Sequence, residues 1–422
     1  MDIAIFEERE SNVRSYCRSF PDVFCRAKGS ILYNETGKEY IDFLSGAGAL
    51  NYGHNNGYIK QKVLRYLEDD GISHSLDLYT AAKRQFLHSF VDTILKPRKL
   101  DYKIQFCGPT GSNSVEAALK LARKVKGRHN IFSFAGAYHG MSLGSLSVSG
   151  SLTNRAGAGV PLTNVAFFPY PTSTGAEIDT LSYIESILAD PWSGVEKPAA
   201  IIVETIQAEG GIMVAPVEWL QRLMRICHSH DILFICDDVQ VGCGRTGNFF
   251  SFERADIVPD MVILSKSISG YGMPMSLLLI KPECDVWKPG EHTGTFRGHQ
   301  LSFVGATAAL EYREIYDVDG QVRRKASNIH DFLLTDILSL HKDIRTRGMG
   351  LIWGVDLSAI GGEEAAKEVS SRCFERGLII ECVGRNNAVL KILPPLTIED
   401  ELLQQGCLIL KQALEEYLLS GR

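Results

Sequence analysis

The sequence predicts an open α/β sheet flanked by helices, joined to a second, smaller α+β lobe. Short apolar runs, Ala200–Val203, Ile232–Cys236 and Met261–Leu264, each lead straight into a polar signature. Between them the apolar spacing is helical, and 422 residues suffice for one large core and one smaller one. Strands buried on both faces read as unbroken apolar runs, and their alternation with helices is the pattern of a mostly parallel sheet.

Along the chain, the opening MDIAIFEERESNVRSYCRSF carries early acids and no apolar h-region, so it does not read as a secretory signal. A helix is expected where Val115, Ala118, Leu119, Ala122 and Val125 share one face, with Asn113 and Glu116 as its capping box. Thr110, Gly111 and Ser112 precede it, and a helix N-terminus with free N–H groups suits a phosphate. Trp219, Leu220, Leu223, Met224 and Cys227 mark a helix before the run that leads into Asp237. After Asp237, Gly242, Gly244 and Gly247 make a close-approach turn holding Arg245, and Lys266 follows the last run in ILSKSISGYG. A helical stretch from about Ala306 opens the final third, which ends in the amphipathic segment Leu402–Leu419. The large domain is expected over residues 61–305, and the small one over 1–60 with 306–422.

Composition removes several classes of function. Hydrophobic residues make up 45%, charged residues 22%, and the net charge is −6 without long runs of one sign. Neither a nucleic acid nor a membrane is an expected partner, and no stretch approaches the ~20 apolar residues of a membrane span. The ten cysteines form no CxxC pair, and Cys227, Cys236 and Cys407 sit in apolar runs as small hydrophobes. Reduced thiols and a cytoplasmic location are the plain reading. His228 and His230 have no second cluster to complete a metal site, so no metal is expected. GxxxxGK[ST] is absent, and GCGRTG (Gly242–Gly247), though it matches GxGxxG, does not directly follow its apolar run as a dinucleotide fingerprint would.

Taken singly, Lys266 reads as a solvated strand-end residue, Asp237 as a turn aspartate and the 111–126 region as an ordinary capped helix. Together, Glu204, Asp237 and Lys266 follow separate strands on the side where ligands of open α/β sheets bind. A lysine against low-dielectric walls is partly neutral and nucleophilic.

The ordered series FAGAYHG, VETIQAEGG, DDVQVGCGRTG, SKSISGYG and GTFRGH resembles the class III (ω-) aminotransferases over nearly the whole chain. The resemblance implies a pyridoxal-5'-phosphate (PLP) enzyme of transferase fold type I, a homodimer or dimer of dimers. It implies that Lys266 holds PLP as a Schiff base and shuttles a proton, and that Asp237 pairs with the ring nitrogen. Val239 and Tyr138 would cover the two ring faces, and Gln240, braced by Glu204, would meet the ring hydroxyl. Gly111 and Ser112 would hold the phosphate together with Thr295 of a second copy, and Glu209 would adjust the substrate pocket. A narrower resemblance, in FEERESNVRSYCRSFP, GAGALNYGHNN, DGISHSLDLYT and the stretch SISGYGMPMSLLLIKPECDVWKPGEHTGTFRG, is to the branch serving ectoine synthesis. It implies small amino acid and keto acid substrates: L-aspartate 4-semialdehyde and L-glutamate giving L-2,4-diaminobutyrate and 2-oxoglutarate. An enzyme of ornithine, 4-aminobutyrate or a longer diamine, an aminomutase and a PLP-binding protein without turnover remain alternatives. Whether the product feeds an osmolyte, a siderophore or a peptide antibiotic is also open.

The sequence departs from the family pattern in places. Asp238 stands where Glu is common, His299 and Gln300 where Asn-Pro is usual, and Met141 where many members have an arginine for a distal carboxylate. Before PPLT the usual carboxylate-binding arginine is Lys391, a point charge without the bidentate fork. Either Lys391 serves the substrate pocket, or it faces solvent and Arg385 or Arg297 holds the carboxylate.

Overall fold

In the computed structural model, which describes residues 3–171 and 178–420, the apolar runs form the middle of a seven-stranded sheet. Its order is 103–106, 277–280, 261–264, 233–237, 200–203, 131–134 and 165–168. Strand Leu277–Ile280 is antiparallel to both neighbours, and the other pairs are parallel. Two strands have the expected bounds; the third is Leu233–Asp237, one residue later than its apolar run. Asp237 is therefore the last residue of a strand, in register with Ile263, rather than the first of a turn.

Side chains alternate across the sheet. Phe234, Cys236, Val262 and Leu264 join one apolar cluster, which the helix Val217–Ser229 covers through Leu220, Leu223 and Cys227. Leu233, Ile235, Met261 and Ile263 join the opposite cluster with Val115, Ala118, Leu119 and Ala122 of the helix Gly111–Lys126. Each large apolar side chain so buried contributes about 1.5–3 kcal/mol, which makes the sheet a firm base for what its strand ends carry. The helix Gly111–Lys126 begins earlier than an Asn113 cap would allow. Thr110 is extended and caps it, and Asn113 Oδ1 accepts from the Thr110 N–H at 3.2 Å and the Thr110 hydroxyl at 3.0 Å. Glu116 instead accepts from the Ser142 hydroxyl (2.6 Å) and the Ser145 N–H (3.0 Å).

A second, antiparallel sheet orders strands 345–349, 352–356, 389–392 and 381–383. The helices Gly362–Glu375 and Asp400–Ser420 contribute Val369, Cys373, Leu410 and Leu414 to its apolar cluster. Near the N-terminus, strands 24–28, 31–34 and 39–42 are extended by the parallel strand 378–379. No helix among the described residues is long and apolar enough to cross a membrane. His299 and Gln300 find local roles: His299 Nδ1 accepts from the Ser302 N–H at the start of helix Gln300–Ile315, and Gln300 bridges the hydroxyls of Ser75 and Thr80.

Arg245 fastens the turn after Asp237 to the rest of the chain. Its guanidinium is wholly buried and donates to the Leu351 carbonyl (2.9 Å), the Pro394 carbonyl and Asn51 Oδ1 (2.6 Å). Replacing it by methionine strands these acceptors away from water, at about 1–3 kcal/mol for each group left unsatisfied. Arg245→Met is expected to lower stability by roughly 3 kcal/mol or more, read as a fall in the urea midpoint. A midpoint equal to that of the unmodified chain would contradict the clamp.

Candidate active site

The parallel strands deliver their polar residues to one cavity of about 400 Å³ at their carboxyl ends. Glu204 follows strand 200–203, Asp237 ends strand 233–237, Ser265 and Lys266 follow 261–264, and Tyr138 and His139 follow 131–134. Gly111 and Ser112 enter from the helix after strand 103–106, and Glu209, Val239 and Gln240 complete the expected set. Ala49, Pro109, Ala208, Val241 and the loop Gly272–Met275 also line the cavity. Those contributors were not legible as site residues, being small or apolar and without a chemical signature.

Within the cavity Gly111 and Ser112 open a helix, where the first N–H groups have no partner within the helix. The space there is close: a Cβ on Gly111 would meet Val239 at 3.2 Å, and one on Gly140, at φ +122°, would collide with Ser112. Asp237 Oδ2 lies 2.7 Å from His139 Nδ1, and Asp237 Oδ1 accepts from the Val239 N–H at 3.1 Å. His139 went unremarked in the sequence reading, although it directly follows Tyr138 in YHG. Burial works against a charged His139, but the bond and charge of Asp237, with Glu204 nearby, leave its pKa raised. Its Nε2 is buried and has no hydrogen-bond partner among the described residues.

Lys266 has a left-handed backbone, φ 52°, uncommon for a side-chain-bearing residue and frequent at functional sites. Burial, reinforced by Lys391, pulls its pKa below the usual lysine value against the opposing pull of Glu209, Glu381 and Asp237. This raises the share of neutral, nucleophilic amine. Burial pushes Glu204 up to about 8, with Asp237 adding to the rise and His139 opposing it. Asp238 is also buried, pushed up to about 7, and accepts from the Ser251 N–H at 3.0 Å.

One expectation needs correction, and one alternative is removed. Glu204 does not brace Gln240; its Oε1 accepts from the Tyr138 N–H at 2.9 Å. Gln240 Nε2 instead donates to Glu209 Oε1 and to the Ala47 carbonyl, each at 3.0 Å, because its side chain turns toward Lys391. Nor does Lys391 face solvent. It is fully buried, with Nζ 2.7 Å from Glu209 Oε1, 2.7 Å from Glu381 Oε1 and 3.2 Å from Gln240 Oε1. Burial alone would raise the Glu209 pKa, but Lys391 and Lys266 hold it at about 2, and the two carboxylates hold Lys391 above its usual value. Arg385 is exposed, Arg297 bonds the carbonyls of Phe106 and His292, and neither lines the cavity; Lys391 does not line it either, but contacts Glu209 and Gln240, which do. Met141 is 50% exposed, and Thr295 is exposed outside the cavity of its own chain.

The aminotransferase class-III family model matches residues 16–414. A diaminobutyrate–2-oxoglutarate transaminase of Halalkalibacterium halodurans is 53% identical, over 98% of this chain and 96% of its own. One of Streptomyces coelicolor is 51% identical over 98% of each. Among solved structures, the ornithine aminotransferase of Toxoplasma gondii, with PLP partly occupying its active site, superposes with a TM-score of 0.86 at 24% identity, covering 99% of this chain and 94% of that one. The taurine:2-oxoglutarate aminotransferase of Bifidobacterium kashiwanohense, in complex with PLP and glutamate, gives 0.82 at 24% identity over 93% and 92%. These superpositions show the fold, and the family match with the half-identical relatives shows descent: the chain belongs to the class III family of PLP-dependent aminotransferases.

Proposed function

We propose that the chain transfers an amino group from L-glutamate to L-aspartate 4-semialdehyde, giving L-2,4-diaminobutyrate and 2-oxoglutarate, reversibly. The relatives' shared activity supports this reading. The observation that carries it is the buried Lys391–Glu209 pair beside the cavity, a cation whose partner can be exchanged. Glutamate brings a carboxylate next to its reacting amine; diaminobutyrate reacts at a terminal amine with none beside it. A cation with a place left open beside it would suit the first substrate and, with that place empty, penalise the second, since a buried charge that lacks part of its pairing is costly. Glu209, 28% exposed on the cavity side, is free to pair with Lys391 for one substrate and yield to the other's carboxylate.

The cavity fits PLP: its lining combines a helix N-terminus suited to a phosphate, a carboxylate suited to a ring nitrogen and a buried amine. When bound, PLP supplies an aldehyde that takes up amino groups and a ring that spreads the electrons left by a departing proton. Lys266 would hold it through its ε-amine and carry the proton to and from the substrate carbon. Gly111 and Ser112 would hold the phosphate, and Asp237, oriented by His139, would keep the ring nitrogen protonated. Val239 and Tyr138 would cover the ring faces. Gln240, whose amide hydrogens are engaged with Glu209 and Ala47 and whose carbonyl oxygen accepts from Lys391, would accept from the ring hydroxyl through the remaining lone pair of that oxygen.

In the same reading the enzyme is a cytoplasmic homodimer, and Thr295 reaches the phosphate end of a second copy's cavity. Its exposure beside Phe296, itself 65% exposed, supports that placement. Met141, where the family uses arginine for a distal carboxylate, weighs against 4-aminobutyrate as donor. The narrower resemblance favours ectoine synthesis as the use of the product.

Borohydride reduction of the holoenzyme followed by peptide mapping is expected to mark Lys266, and Lys266→Ala to abolish turnover; a label on another lysine would overturn the assignment. Single-turnover kinetics test the exchange. Glu209→Ala is expected to slow the diaminobutyrate half-reaction at least about tenfold more than the glutamate one, and Lys391→Ala to do the reverse. Equal effects on both donors would remove the exchange from the mechanism.

A further inference from the structure

Glu381 lies as close to Lys391 as Glu209 does, at 2.7 Å, as an ion pair without the hydrogen-bond geometry of the Glu209 contact. The two lie directly opposite on adjacent antiparallel strands, 381–383 and 389–392, so the backbone register fixes their contact. Lys391 Nζ is 2.7 Å from one oxygen of each carboxylate. Their settings differ: the Glu381 side chain is 8% exposed and held in the sheet, whereas that of Glu209 is 28% exposed and lines the cavity. One buried ammonium therefore has two carboxylates, one more than its charge needs. Burial raises the Glu381 pKa against the pull of Lys391, while Lys391 and Lys266 hold that of Glu209 low.

We propose that Glu381 is a positioning residue, the standing counter-ion of Lys391, which lets Glu209 move aside for a substrate carboxylate without leaving a buried cation unpaired. This rests on the exchange reading above. Without Glu381, withdrawal of Glu209 isolates the ammonium in a dry setting, and the open state becomes rare. Glutamate must then displace Glu209 in one concerted step, and its half-reaction slows. A terminal-amine donor leaves Glu209 where it is and does not need the opening.

The test is the ratio of single-turnover rate constants for glutamate and for L-2,4-diaminobutyrate, both measured on one preparation of holoenzyme so that the folded fraction cancels. Glu381→Gln is expected to shift that ratio against glutamate by about tenfold or more, and Glu381→Asp, which keeps the charge, to stay within about threefold of the unmodified enzyme. Equal losses with both donors, no loss with either, or an Asp variant as shifted as the Gln variant would overturn the role. Glu209→Ala measured alongside separates the two ideas. If it leaves the ratio unmoved, the exchange reading itself fails. If it moves the ratio and Glu381→Gln does not, the inference about Glu381 alone is overturned.

Discussion

A charge taken out of water must be paired, and the cavity of this chain is arranged around that requirement. Lys391 is fully buried between Glu209, Glu381 and Gln240. Asp237 is paired with His139, and Lys266 sits where burial works against its own charge. Lys391 and Asp237 are held in place by their partners, so that part of the geometry is set before any ligand arrives. Preorganisation of this kind lets fixed charges act strongly in a low-dielectric site without reorganising during the reaction.

The sheet supplies the rigidity for it. Strands with alternating apolar faces pack between two helical layers, and their carboxyl ends share one edge: Glu204 and Asp237 each follow the pair Val203–Cys236, and Lys266 comes three residues after Ile263, the partner of Asp237. The pair Lys391–Glu381 comes from a different sheet, and Arg245 ties the turn after Asp237 to the segments that flank it. The site is thus assembled from two cores, and in the proposed exchange the moving part is Glu209, which lines the cavity. A single side chain that moves, against a frame that does not, is an economical way to admit both a carboxylate-bearing donor and one without.

Much of this was legible in the sequence because it is written in local pattern. Apolar runs ending in Glu204, Asp237 and Lys266 gave both the sheet and its active edge, and the helix over Val115–Val125 gave the anion end. What escaped depends on contacts between distant segments. Nothing near Glu381 distinguishes it from a surface carboxylate on an edge strand until the register sets it opposite Lys391. His139 resembles any histidine in a loop until Asp237 arrives from another strand, and Gln240 turned out to serve Glu209 and Lys391 rather than Glu204. The helix cap was misplaced by three residues because Asn113 reaches back to Thr110, a local competition that the residue types alone leave undecided.

The central claim is that Lys391 never loses a carboxylate partner and that Glu209 is the one that is exchanged. Crystal structures of the PLP-loaded enzyme with each amino donor would test it most directly. With diaminobutyrate, Glu209 Oε1 should stay at the 2.7 Å contact with Lys391 seen here. With glutamate, the substrate carboxylate should take that contact and the Glu209 side chain should rotate away, while Glu381 keeps its place. A Glu209 that remains on Lys391 while glutamate is bound would contradict the account.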